Sequence, residues 1–176
     1  MVHVEAITYI LSVLTVIGNI VILMFLINII SKKTFDGVFR FFKKNAFVLA
    51  FIVALIATFG SLYYSEIVGY EPCKLCWFQR IFMYPFVVMF AVSLWKKDRN
   101  VFRYVIPMAI IGGLIALYHY YLQISKTTSV ACSVVGYSVS CSEHFFLRFG
   151  YITIPTMALT AFILIIIAGI LVKRES

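Results

Sequence analysis

Apolar residues fall in five long runs, over residues 6–31, 46–66, 76–95, 103–124 and 151–172, and the polar residues gather between them. Each run has about 20 residues or more, enough to cross a hydrocarbon core about 30 Å thick as a helix. Lipid offers no water to backbone N–H and C=O groups, so every run is predicted to be helical. The expected fold is all-α, a polytopic membrane helix bundle. The first run opens MVHVEAITY, without a basic n-region; it is too long for a signal peptide and no small-residue cleavage site follows. It is expected to remain as a helix.

Composition agrees with this pattern: 63% of residues are hydrophobic and 12% charged. A soluble fold would have to hide all five runs in one core, with too little polar surface to cover it. The basic residues then set the orientation. Lys32, Lys33, Arg40, Lys43 and Lys44 follow the first run, Lys96, Lys97, Arg99 and Arg103 follow the third, and Lys173 and Arg174 follow the fifth. The other side holds Lys74, Arg80, Lys126 and Arg148. Short loops rich in lysine and arginine stay in the cytoplasm, so the N-terminus is expected outside and the C-terminus inside. The net charge of +8 thus reports topology and calls for no nucleic acid. Trp77 and Trp95 lie about 27 Å apart along a helix, as interfacial rings at the two ends of the third run.

Other stretches read as architecture. Ala50, Ala54, Ala57 and Ser61 mark one close-packing face, and Ala109, Gly112, Gly113 and Ala116 another. Pro85 and Pro107 fall inside runs, where each removes a helical hydrogen bond. TFDGVFRFFKK, at 34–44, alternates bulky apolar and basic residues and is expected to lie along the inner membrane surface. Asn19 and Asn28 in the first run read as packing or interfacial groups.

The candidate chemistry starts at EPCKLCWFQR, residues 71–80. In the expected topology all four cysteines, Cys73, Cys76, Cys132 and Cys141, face the outside, where disulfides form and persist. The spacing leaves three uses open: a redox pair, structural disulfides bracing the outer loops, or zinc held by four cysteines or by three with His144. Cysteines three apart at a helix start favour redox. The helix dipole and nearby Arg80 both favour a thiolate at Cys76. Arg80 sits one turn deeper, about 6 Å, where a charge needs a partner or a water-lined cavity unless it snorkels to the surface. Gln79, His119 and Gln123 fall at similar depth, a set of hydrogen-bonding groups suited to the polar headgroup of a lipid-soluble cofactor.

The order of motifs is specific. SLYYSEIVGYEPCKLCWFQRIFMYP, then YHYYLQ at 118–123, then two cysteines, then FGYITIPTMAL at 149–159, resembles the DsbB/BdbC family of membrane thiol oxidases over about residues 47–172. The resemblance implies a four-helix DsbB-like core at 46–176, preceded at 1–45 by an extra N-terminal transmembrane helix and a basic cytoplasmic loop. It implies a bacterial cytoplasmic membrane protein that reoxidises a DsbA/BdbD-like thioredoxin-fold partner. Electrons would pass to a membrane quinone, ubiquinone or menaquinone. By position, Cys73 and Cys76 resemble the pair beside the quinone, with Cys76 engaging it. Arg80 resembles the quinone-site arginine, and His119 and Gln123 fit the quinone-side helix. Cys132 and Cys141 resemble the pair that meets the partner, and no metal is implied.

Gln79 stands where some members carry an acid, the second cysteine loop is short as in the BdbC-like branch, and the first run has no counterpart in the core. A quinone or epoxide reductase of the vitamin K type is the enzymatic alternative. A metal-binding or structural membrane protein is the non-enzymatic one. The aromatic residues of SEHFFLRFG are expected to hold Cys141 near the membrane surface and near Cys73, leaving Cys132, in the polar segment SKTTSVACS, for a soluble visitor.

Overall fold

The computed structural model describes residues 2–31, 36–125, 140–142 and 144–173. Its helices are α1 (Val2–Ser31), α2 (Asp36–Leu62), α3 (Lys74–Lys96), α4 (Phe102–Ser125) and α5 (Ile154–Lys173). All five expected spans are there, each helix long and apolar enough to cross a membrane. Among the described residues there is no strand, only one isolated bridge between Arg148 and Ile152.

One difference lies at the start of α2. The segment expected along the inner surface continues, from Asp36, the helix that crosses the membrane. Twenty-seven residues make about 40 Å of helix, more than a hydrocarbon core, so the basic first turns sit beyond the apolar layer. The helical hydrogen-bond ladder runs from Asp36 through this segment without a break.

Helices α2 to α5 pack as a ring, with α5 touching both α2 and α4, and α1 lies on the outside against α5. The core is filled by Phe86, Phe90, Phe162, Ile165 and Val105, all buried, with Ala46, Ala50 and Ala54 lining the inner face of α2. The face of Ala109, Gly112, Gly113 and Ala116 packs closely, whereas Ala50, Ala57 and Ser61 of the other face line a cavity. A Cβ built on Gly112 would fall 2.4 Å from Phe162 Cζ, so α4 approaches α5 as closely as it does only with glycine there. Pro85 and Pro107 lie inside α3 and α4 without ending either helix.

Two turns aim the helices. At the C-terminal end of α3, Lys97 takes a left-handed conformation (φ 53°) and its N–H closes onto the carbonyls of Ser93 and Leu94. Just before α5, Phe149 and Gly150 have positive φ and reverse the chain between Arg148 and Ile152, which exchange both backbone hydrogen bonds. The Thr153 N–H then donates to Thr156 Oγ1 at 2.7 Å, the backward half of a capping box that starts α5. This is the physical content of the FGYITIPT motif.

Candidate functional site

Cys73 is the residue just before α3, in extended conformation, and its carbonyl accepts the first helical bond from the Trp77 N–H at 3.1 Å. One turn on, Cys76 returns to the same side, so the two sulfurs lie 3.3 Å apart, both as free thiols. His119 on α4 meets them from across the bundle. Its Nε2 is 3.5 Å from Cys73 Sγ and its Nδ1 is 3.0 Å from Gln79 Nε2. With the Gln79 amide donating to Nδ1, the ring proton sits on Nε2 and faces the Cys73 sulfur. Gln79 and His119 are both buried, and Gln123, one turn beyond His119, is buried too.

Hydrogen-bond donors therefore converge on Cys73, the residue that precedes the third span. The Cys76 S–H is the strongest influence lowering its pKa; burial opposes this, and the His119 N–H adds to the lowering. The result is a Cys73 thiol held well below the usual thiol range. Sequence reasoning puts thiolate character on Cys76, from the helix dipole and Arg80; the side chains aim their protons at the other sulfur. Because the anion is the favoured form, it persists as pH falls through the ordinary thiol range, where a free cysteine loses reactivity. Alkylation of Cys73 in the reduced protein by a small neutral reagent should thus stay on its plateau below pH 8, and His119→Ala should move the inflection upward. A wild-type inflection near 8.5, the ordinary thiol value, would show that the donors do not stabilise the anion.

Arg80 reaches across to α2. Its Nε donates to Ser61 Oγ at 3.0 Å and its Nη2 to the Ser61 carbonyl at 3.2 Å, while the guanidinium carbon lies 5.3 Å from the Trp77 ring centroid. Tyr84 also donates to Ser61 Oγ, at 3.2 Å. Cys76, Gln79 and Arg80 line a cavity of about 410 Å³ whose remaining walls are mostly apolar residues of α1, α2 and α5. The set thus joins a thiol, a fixed cation and an amide at one end of an oily groove.

Cys141 is disulfide-bonded, and Cys73 and Cys76, both free thiols, are not its partners. It packs in one buried cluster with Cys73, Leu75 and Leu122, as expected from the aromatic residues that follow it. Phe145 stacks on Tyr70 with centroids 4.4 Å apart, Tyr70 stacks on Tyr64 at 5.9 Å, and Phe146 tilts against Tyr64 at 5.5 Å. Cys132 lies outside the described residues.

The zinc sets suggested by the sequence are not assembled among the described residues, since Cys141 is bridged and His144 is exposed. A different trio, Cys73, Cys76 and His119, brings its donor atoms within 4.8 Å of one another, but its sulfurs are those that thiol exchange would use. Sequence reasoning misses Tyr64, Tyr70 and Tyr84, and reads Ser61 as packing alone. The tyrosines at both ends of SLYYSEIVGYEPC were the available signal.

The sequence model of the family described as disulfide bond formation protein DsbB matches residues 43–172. The chain belongs to the DsbB family. It is 47% identical over 136 residues to disulfide bond formation protein C of Bacillus subtilis, covering 75% of this chain and 97% of that one. It is 45% identical over 135 residues to a probable disulfide formation protein C 1 of Bacillus cereus (76% and 96%), and 37% identical over 134 residues to a probable disulfide formation protein of Metapseudomonas resinovorans (75% and 92%). No solved structure matches. As a DsbB family member with five membrane-spanning helices, this is a multi-pass membrane protein of disulfide-bond formation. The family match begins inside α2, so α1 lies outside it.

Proposed function

We propose that this protein accepts electrons from a reduced thioredoxin-fold thiol oxidase of the DsbA or BdbD kind and passes them to a membrane quinone. A partner thiolate attacks the Cys132–Cys141 disulfide at Cys132, and the partner's second thiol resolves that bond, leaving with its own disulfide formed. The released Cys141 thiolate attacks the Cys73–Cys76 disulfide at Cys73, and Cys132 then closes onto Cys141. The pair Cys73 and Cys76 is left as two thiols, holding the two electrons the partner gave up. Each exchange forms one S–S bond and breaks one, so the electrons move inward as the disulfide moves outward.

The observation that carries this reading is the position of Cys76, in contact with Cys73 on one side and lining the cavity with Arg80 and Gln79 on the other. The residues fit a quinone: two polar side chains at the thiol end for its oxygens, and apolar walls beyond for its tail. A bound quinone supplies a two-electron acceptor inside the bilayer. Arg80, fixed by Ser61, orients the headgroup and stabilises negative charge on its oxygen. His119 holds a proton at Nε2 beside Cys73 and steadies the thiolate released there. The basic-residue asymmetry supports an outer position for all four cysteines and the N-terminus, and a cytoplasmic C-terminus.

The test mixes purified protein, a reduced thioredoxin-fold oxidase and a quinone, and follows quinone absorbance. One quinone should be reduced per partner dithiol oxidised. Unchanged absorbance with an oxidised partner would remove quinone from the reading. A partner lacking its second active-site cysteine should accumulate as a mixed disulfide, joined to Cys132 by mass spectrometry. A Cys141 adduct would reverse the two roles, and an adduct on Cys73 or Cys76 would make the other pair structural.

A further inference from the structure

Helix α1 has no part in the chemistry above and lies outside the family match, yet it is docked on the bundle by directed contacts. Thr8, Ser12 and Thr15 form a buried stripe on the side facing the protein. Tyr64 of the π-helical turn that follows α2 donates to Thr8 Oγ1 at 3.2 Å. Thr160 of α5 donates to Asn19 Oδ1 at 2.8 Å, and Asn19 Nδ2 donates to the Tyr151 hydroxyl at 3.3 Å. A Cβ on Gly18 would fall 2.9 Å from Thr160 Cγ2, so the two helices touch there. These ties fix the rotation of α1, and with it the residues that α1 turns toward the groove.

Leu11, Leu14, Ile17, Gly18 and Val21 line the same cavity as Cys76 and Arg80. From Leu11 to Val21 the helix rises about 15 Å, and the cavity's lining on α2 runs further, from Ser61 to Phe42, about 29 Å. A quinone ring needs only the thiol end of so long a space. The rest is apolar, parallel to the helices and continuous with the thiol end, which is the shape of a linear hydrocarbon chain. We infer that α1 is the outer wall of a channel for the polyprenyl tail of the quinone, and makes this protein selective for long-tailed quinones. This rests on the proposed quinone reading and adds to it a specificity element in a segment that the family match does not include.

Two quinones with one headgroup test it, one without a tail and one with a long prenyl tail ending in a photoreactive diazirine. Illumination of the tailed quinone bound to the full-length protein should crosslink α1 around Leu14, Ile17 and Val21, mapped by mass spectrometry. Leu14→Trp and Ile17→Trp should each weaken equilibrium binding of the tailed quinone by about 10-fold, since displacing even two buried methylenes is enough for that, and leave the tail-less one unchanged. Crosslinks confined to α2 and α5, or equal weakening of both quinones, would overturn the inference. So would crosslinking to α1 that excess phospholipid suppresses and excess unlabelled quinone does not, which would assign the groove to a lipid acyl chain. If the wild-type protein binds neither quinone, the quinone reading itself fails and takes this wall with it. The crosslink is read on the unmodified protein, so a variant that does not fold leaves the test intact.

Discussion

Cys76→Ser protein is expected to oxidise one equivalent of reduced partner and then stop. In the proposed relay the first exchange uses only the Cys132–Cys141 disulfide, which the substitution leaves in place. The second needs a disulfide between Cys73 and Cys76, and a serine hydroxyl forms none. Sustained quinone reduction should fall to the rate without protein, while a single-turnover mixture still shows a burst of partner oxidation matching the protein present. Continued turnover would mean that electrons leave by another sulfur. Loss of the burst as well would mean that the two pairs do not act in sequence. Cys73 and Cys141 share one buried cluster, so the second exchange needs little motion in the wild-type chain.

Arg80→Ala should raise the apparent KM for quinone by roughly 10- to 100-fold, the effect of losing one charge-assisted hydrogen bond of about 1.5–3 kcal/mol. The guanidinium is held by two hydrogen bonds to Ser61, so it need not be ordered again when a headgroup arrives. Arg80→Lys keeps the charge without the planar fork and should recover part of the loss, whereas a residue that only anchors α3 to α2 would show no such rescue. The measurement is quinone KM beside kcat, with thermal stability as the folding control. An unchanged KM in a folded, active variant would reduce Arg80 to a packing residue.

The five helices were legible because a run of about 20 apolar residues has few other structures open to it. The closeness of Cys73 and Cys76 was legible for a comparable reason: C-x-x-C at a helix start places two sulfurs on one side, and spacing alone says so. The thiolate's location was not. Local terms, the dipole and Arg80, point to Cys76; the Cys76 S–H instead lowers the Cys73 thiol, and the second donor that adds to this comes from His119, 46 residues away and on another helix. The contact of Tyr70 with Phe145 likewise joins two loops, and only the fold brings them together. Helix α1 lies between these cases. Thr8, Ser12, Thr15 and Asn19 fall at spacings of four, three and four, a polar stripe visible in the sequence, but nothing in the stripe says which helix it meets. Ser61 reads as one more small residue until Arg80 is placed above it.

The turn that follows α2, Tyr63–Ile67, is π-helical: the Val68 N–H bonds to the Tyr63 carbonyl, five residues back. A turn closed in this way holds one residue more than an α-helical turn, so it acts as a built-in insertion in the helix tip. Each α-helical residue advances the chain by about 100° around the axis, so that single extra residue sets the azimuth at which the backbone leaves for Tyr70 and Cys73. Removing it would rotate the exit by just over a quarter of a circle while changing no side chain that touches a sulfur. The length of this tip is therefore as much a part of the thiol chemistry as the cysteines themselves, in a place where counting matters more than residue type.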